Sequence, residues 1–199
     1  MILTSVNTLF DNTEQASALP ATRPAVIALD LSIAATGTCD TEGTTATIKT
    51  KTADGDRRLV TIADRVRHLI GENRGYLGGH LAQLAVIEDL PTHAHGAGVT
   101  GMVHGAVRAE LIRLGVPYVL VTPASLKKWA TGRGNADKVA MGVAALKRFG
   151  REFPNDNEAD SFLLWAMALD ALGHPLVSMP AANRAALDAV KWPQIGGGS

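Results

Sequence analysis

The chain has 199 residues, 46% of them apolar, enough for one domain with its own core and too few for a large multi-lobed enzyme. Lys and Arg total 19 and Asp and Glu total 19, so a polyanionic partner must be met by a local basic patch rather than by net charge. Cys39 is the only cysteine, which excludes internal disulfides and multi-cysteine zinc sites; with no signal-like start and no long apolar run, a cytoplasmic protein without a membrane partner is expected.

Residues 1–23 are polar and mixed, and the prolines at 20 and 24 discourage regular structure, so this stretch reads as an N-terminal arm. Val26-Ile27-Ala28-Leu29-Asp30 is a continuous apolar run closed by a carboxylate, the pattern of a central strand buried on both faces. Thr36–Asp40 and Thr44–Thr50 are Thr-rich and separated by Glu42-Gly43, which predicts an antiparallel hairpin. From Asp56 to Ile70, apolar residues recur at three and four, predicting an amphipathic helix. Leu84-Ala85-Val86-Ile87-Glu88 repeats the apolar strand closed by an acid. A small-residue helix from about Gly98 to Leu114, a strand Tyr118–Val121 and a helix opened by Pro123 follow. Alternation of strand and helix argues for parallel pairing, so the fold class is α/β: a mixed sheet flanked by helices on both faces. Helices are expected at Asn135–Phe149, Asn157–Leu172 and Ala181–Val190, and the closing Gly-Gly-Gly-Ser reads as a tail.

Three acids break apolar patterns. Asp30 and Glu88 end buried strands, and Asp160 opens the apolar stretch 162–167; isolated carboxylates in such places are costly unless paired or bound to metal. Convergent oxygen donors suit Mg²⁺, with Mn²⁺ able to substitute, and such ions can activate water against a phosphodiester. Helical spacing places Asp156 and Asn157 on the face of Asp160 as rival fourth ligands, while Glu158 points elsewhere. Asp156 could instead cap the helix, and any single strand-end acid could serve only a salt bridge. Residues 123–151 carry a charge balance of +6 and residues 152–160 one of −4, a cationic surface beside an anionic pocket. Lys127, Lys128, Arg133 and Lys138 flank the Gly132-Arg133-Gly134 loop and are candidate phosphate contacts; Lys147 and Arg148 read as a solvated helix face.

Residues 24–172 resemble the RuvC-like Holliday junction resolvases, nucleases of the RNase H fold. The resemblance runs through Asp30-Leu31-Ser32 to Thr36-Gly37, Ile87-Glu88, the small-residue helix around Gly101–Gly105, the lysine-bearing segment with Lys127 and Lys138 in the matching places, and Asn157-Glu158-Ala159-Asp160. It implies an RNase H-like sheet, a metal-dependent endonuclease cutting branched DNA at four-way junctions, and a homodimer built on the helix face of Gly98, Gly101, Gly105 and Ala109. It also implies a nuclease domain at 24–172 with a C-terminal extension at 173–199. Asp30, Glu88, Asp160 and Asn157 would be catalytic, with Lys127 and Lys138 beside the phosphate. The sequence departs from the pattern in three places: Leu31-Ser32 replaces Pro-Gly, Asn157 is neutral, and 89–95 carry no aromatic residue.

Other readings compete. Gly96-Ala97-Gly98-Val99-Thr100-Gly101 spells a dinucleotide fingerprint, yet it does not directly follow a strand. Asp89 with His93-x-His95 could bind zinc but has no fourth ligand at a clear spacing. Trp129, Trp165 and Trp192 are core residues or base-stacking platforms. Asp30–Thr38 also resembles the phosphate loop of actin-like ATPases and sugar kinases, which need two domains. The remaining alternative is a non-catalytic or broader-specificity RNase H-fold protein acting on forks or flaps.

Overall fold

Val26–Asp30 forms β1 at the centre of a five-stranded sheet, with β2 (Ala35–Cys39) and β3 (Thr45–Lys49) on one side and β4 (Leu84–Glu88) and β5 (Tyr118–Val121) on the other. This computed structural model describes residues 23–71, 82–90 and 97–195; the arm before Arg23, the His93-x-His95 pair and the glycines after Ile195 lie outside the described residues. The strand order is β3-β2-β1-β4-β5. β1 to β3 form an antiparallel meander, whereas β1–β4 and β4–β5 are parallel, as the hairpin and the alternating pattern predict.

Strand side chains alternate, and here both faces are covered, which is why the strands read as unbroken apolar runs. Ile27, Leu29, Ala85 and Ile87 meet α1 (Arg57–Ile70) and α2 (Ala97–Arg113) through Ile62, Val66, Val103 and Val107. Val26, Ala28, Leu84 and Val86 face the opposite layer of α3 (Pro123–Thr131), α4 (Lys138–Phe149) and α5 (Asp156–Ala171). Of these helices α5 makes the most extensive contact with β1 and β2, and it is buried on nearly every side from Glu158 to Asp170.

Three local expectations change. The helix expected from Asn135 starts at Lys138, because the Asp137 carboxylate accepts from the Ala140 N–H (2.8 Å) and caps the helix there. Asp156 is the first residue of α5 rather than its cap; Asn155 takes that role, accepting from the Glu158 N–H at 3.0 Å. The expected helix Ala181–Val190 divides into α6 (Ala181–Arg184) and a 3₁₀ turn at Leu187–Ala189. Here the Trp192 indole donates to the Leu187 carbonyl (3.1 Å), which uses the acceptor a continuing helix would need.

The chain beyond α5 folds back over α3. Met179, Ala186, Leu187 and Val190 join the core, and the Asn183 side chain donates to the Trp129 carbonyl at 2.7 Å. Trp129 and Trp165 are buried core residues and Trp192 packs against the same core. On α2, Val103, Val107 and Leu111 face the sheet, while a side chain at Gly98 or Gly105 would meet no atom within 4 Å. Gly98 and Gly101 lie inside α2, so the described part of the dinucleotide-like motif is helical.

Candidate active site

The alternation that buries Val26 and Ala28 against α5 carries Asp30 to the same face, and Leu84 and Val86 do the same for Glu88. The parallel register pairing Leu29 with Ile87 puts the two acids side by side at the carboxyl ends of β1 and β4. From there the chain turns one way into β2 and the other way towards β5. A crevice opens where connections diverge like this.

Asp160 reaches that crevice because the first turn of α5 lies directly on the sheet. Gly37 pairs with Asp30 across β1 and β2, and a Cβ there would stand 2.1 Å from the Asn157 carbonyl oxygen. Only glycine permits this approach. Glu158 then pins the turn to β3. Its carboxylate accepts from the hydroxyls of Thr45 (2.9 Å) and Thr47 (2.8 Å) and from the Asn155 amide (3.1 Å). Sequence reasoning missed Asn155 and the anchoring role of Glu158, although the Asn-x-x-Glu spacing of a helix-capping pair signals both.

Asp30, Glu88 and Asp160 each offer a carboxylate oxygen, and these atoms lie within 4.8 Å of one another, all three residues being half-buried. Burial, then the neighbouring Asp30 and Asp160 charges, push the Glu88 carboxyl up to about 9. Burial, then Asp30 and Asp156, push Asp160 up to about 7. Asp30 is also raised, chiefly by burial, against the opposing effect of a hydrogen bond with Glu88. Three acids that cannot comfortably ionise together, offering oxygen alone, fit a hard divalent cation.

Lys127 on α3 lowers the titration of Glu88 and Asp160, and Lys138 at the start of α4 does so for Asp30 and Asp160, so both place positive charge at the cluster. Lys138 makes its direct ion pair with Asp156. Asn157 is half-buried with its backbone against Gly37. Lys128 and Arg133 stand exposed at the end of α3 and in the loop beyond it, while the Arg148 guanidinium donates to the Ala130 carbonyl at 3.0 Å, tying α4 to α3.

No protein-family model matches the sequence, and no curated protein does. Solved structures do match. A Thermus thermophilus RuvC structure aligns with a TM-score of 0.60 at 20% identity, covering 78% of this chain and 99% of that one. T. thermophilus RuvC in complex with Holliday junction substrate aligns with a TM-score of 0.61 at 18% identity, covering 79% and 99%. With the mixed sheet and its flanking helices, these alignments establish that the chain has a RuvC-like, RNase H-like α/β fold.

Proposed function

We propose that this chain is a metal-dependent endonuclease that cuts phosphodiesters of branched DNA, with four-way junctions as its main substrate. The observation that carries the reading is the cluster of Asp30, Glu88 and Asp160 at the ends of two parallel strands and the start of α5. Support also comes from the RuvC-like fold, which T. thermophilus RuvC presents in complex with Holliday junction substrate.

Asp30, Glu88 and Asp160 would hold Mg²⁺ or Mn²⁺, with Asn157 rather than the Lys138-paired Asp156 as the fourth ligand. Bound there, such ions supply an activated water and stabilise a departing oxygen. The chain's own residues contribute the rest. Burial of the three carboxylates strengthens their attraction for a cation, and the Glu158 anchor and Gly37 hold Asp160 in place. Lys127 and Lys138 offset charge on the phosphate at the reacting centre. Lys128 and Arg133 extend the cationic surface along the DNA backbone. Residues 24–172 form the nuclease domain, and the extension from 173 braces α3. A homodimer through the Gly98, Gly101, Gly105 and Ala109 face would present two such centres to one junction. A second reading, broader cutting of forks and flaps, is favoured by the lack of any aromatic wedge in residues 89–95.

The test is incubation of wild type and Asp30→Asn with four-way, forked and linear DNA, with and without Mg²⁺. Metal-dependent symmetric nicks confined to the junction support the resolvase reading, and equal cutting of forks supports the second. No cleavage by wild type with any divalent metal overturns the enzyme reading.

A further inference from the structure

A groove of about 430 Å³ runs between α4 and the turn leading into α5, starting at Asp160 and Asp156 and ending near Arg151 and Phe153. One wall is the outer face of α4, where Val139, Val143 and Leu146 are 76%, 43% and 46% exposed. With Gly142, beside which a side chain would meet no atom within 4 Å, they recur at the i, i+3, i+4, i+7 spacing of a helix face that lacks its partner. The groove's cations exceed its anions along this wall: residues 138–152 carry Lys138, Lys147, Arg148 and Arg151 against Glu152 alone.

We infer that residues 1–22 of the same chain occupy this groove. Their sequence matches it in three respects. Ile2, Leu3, Val6, Leu9 and Phe10 recur at the spacing of a single helical face, the pattern that pairs with the stripe on α4. Their charged side chains are Asp11 and Glu14, with no Lys or Arg, opposite in sign to α4. The segment also joins the fold beside the groove. Arg23, where it ends, donates to the Thr41 carbonyl (3.0 Å) and the Glu42 carboxylate (3.1 Å), and its guanidinium lies 5.2 Å over the Trp165 ring. Gly43 packs on that same ring, and the Arg151 guanidinium donates to its carbonyl at 2.7 Å. Arg151 lines the groove, so the segment's junction and the groove are linked through Trp165, Gly43 and Arg151. Reach is ample: the residues between Phe10 and Arg23 can extend about 40 Å, against about 18 Å for the length of α4.

The experiment places a spin label on full-length Val6→Cys and reads the backbone amide signals of α4 by NMR. The natural Cys39 is buried and its thiol is pushed up by that burial, so labelling goes to the introduced site. Loss of the Val139, Val143 and Leu146 signals, with recovery in both Leu9→Asp and Leu146→Asp, is the expected result. Retention of those signals in the labelled wild-type background overturns the inference. So does a loss that persists in Leu146→Asp and in Val143→Asp, since the contact then lies elsewhere; both positions are exposed, and signals of the sheet report whether the variants remain folded. A loss seen only on isotope-labelled chains mixed with spin-labelled ones overturns occupancy by the same chain in favour of a second copy. None of these readouts depends on nuclease activity.

Discussion

Asp160 and Asp170 sit near opposite ends of α5, and the fold surrounds them differently. Asp170, 2% exposed, accepts the Trp129 indole N–H (3.0 Å) and pairs with Arg184 at 3.1 Å. Glu158 has its threonines, and Glu110 on α2 is enclosed by Arg67 and Arg113, whose hydrogen bonds hold its carboxyl below the ordinary range. Asp160 instead faces Asp30 and Glu88, and all three are pushed up. A carboxylate buried to hold a fold comes with donors; one buried among other carboxylates calls for a cation from outside.

The sharpest way to break that contrast is to remove a member of each set. Asp30→Asn should lower cleavage of branched DNA by at least about a hundredfold, since even partners of metal ligands are worth that much, while gel-shift binding persists. The same substitution should raise the melting temperature of the metal-free protein by relieving crowded charge. Asp170→Ala should act in the opposite direction. It leaves a buried indole N–H without its partner, costing about 1–3 kcal/mol, and calorimetry should show a fall of roughly 2–4 °C for each kcal/mol lost.

A smaller effect is expected from pH alone. The folded protein holds protons on Glu88 and Asp160 more tightly than the unfolded chain, so its stability is full below the ordinary carboxylate range and declines as pH rises through about 7 and 9. Metal-free melting curves between about pH 5 and pH 9 should therefore fall with pH, and Mg²⁺ should reverse the trend at the alkaline end. Asp30→Asn should flatten it. The smallest effect belongs to the exposed cations. Lys128→Ala or Arg133→Ala should each reduce the slope of log binding constant against log salt by about 0.9, without altering the metal response.

The acids were legible in the sequence because a strand buried on both faces has no ordinary reason to end in a carboxylate, and Asp30 and Glu88 both do. Strand order and sheet type followed from the hairpin and the alternating elements. What the sequence concealed depended on contacts between distant segments. Nothing local in Ala35-Thr36-Gly37 indicates that the Asn157 carbonyl will arrive at the glycine, and nothing near Glu158 names Thr45 and Thr47 as its donors. Propensity favoured one helix over 181–190, but the Asn183 and Arg184 contacts with Trp129 and Asp170, and the Trp192 indole on Leu187, outweighed it.

The far anchor of α5 has a mechanical consequence. At 1.5 Å of rise per residue, Asp160 stands about 15 Å along the helix from Asp170, so α5 is a lever arm pivoting where Trp129 and Arg184 grip it. A tilt of about 4° at that grip swings Asp160 by about 1 Å, a misplacement that can cost a catalytic centre about a hundredfold in rate. Trp129 belongs to α3, the helix that also carries Lys127, so the same joint aims both the acid and the cation that faces it. The aim of the cluster is thus set in part at the opposite end of the molecule, by residues that never approach the crevice.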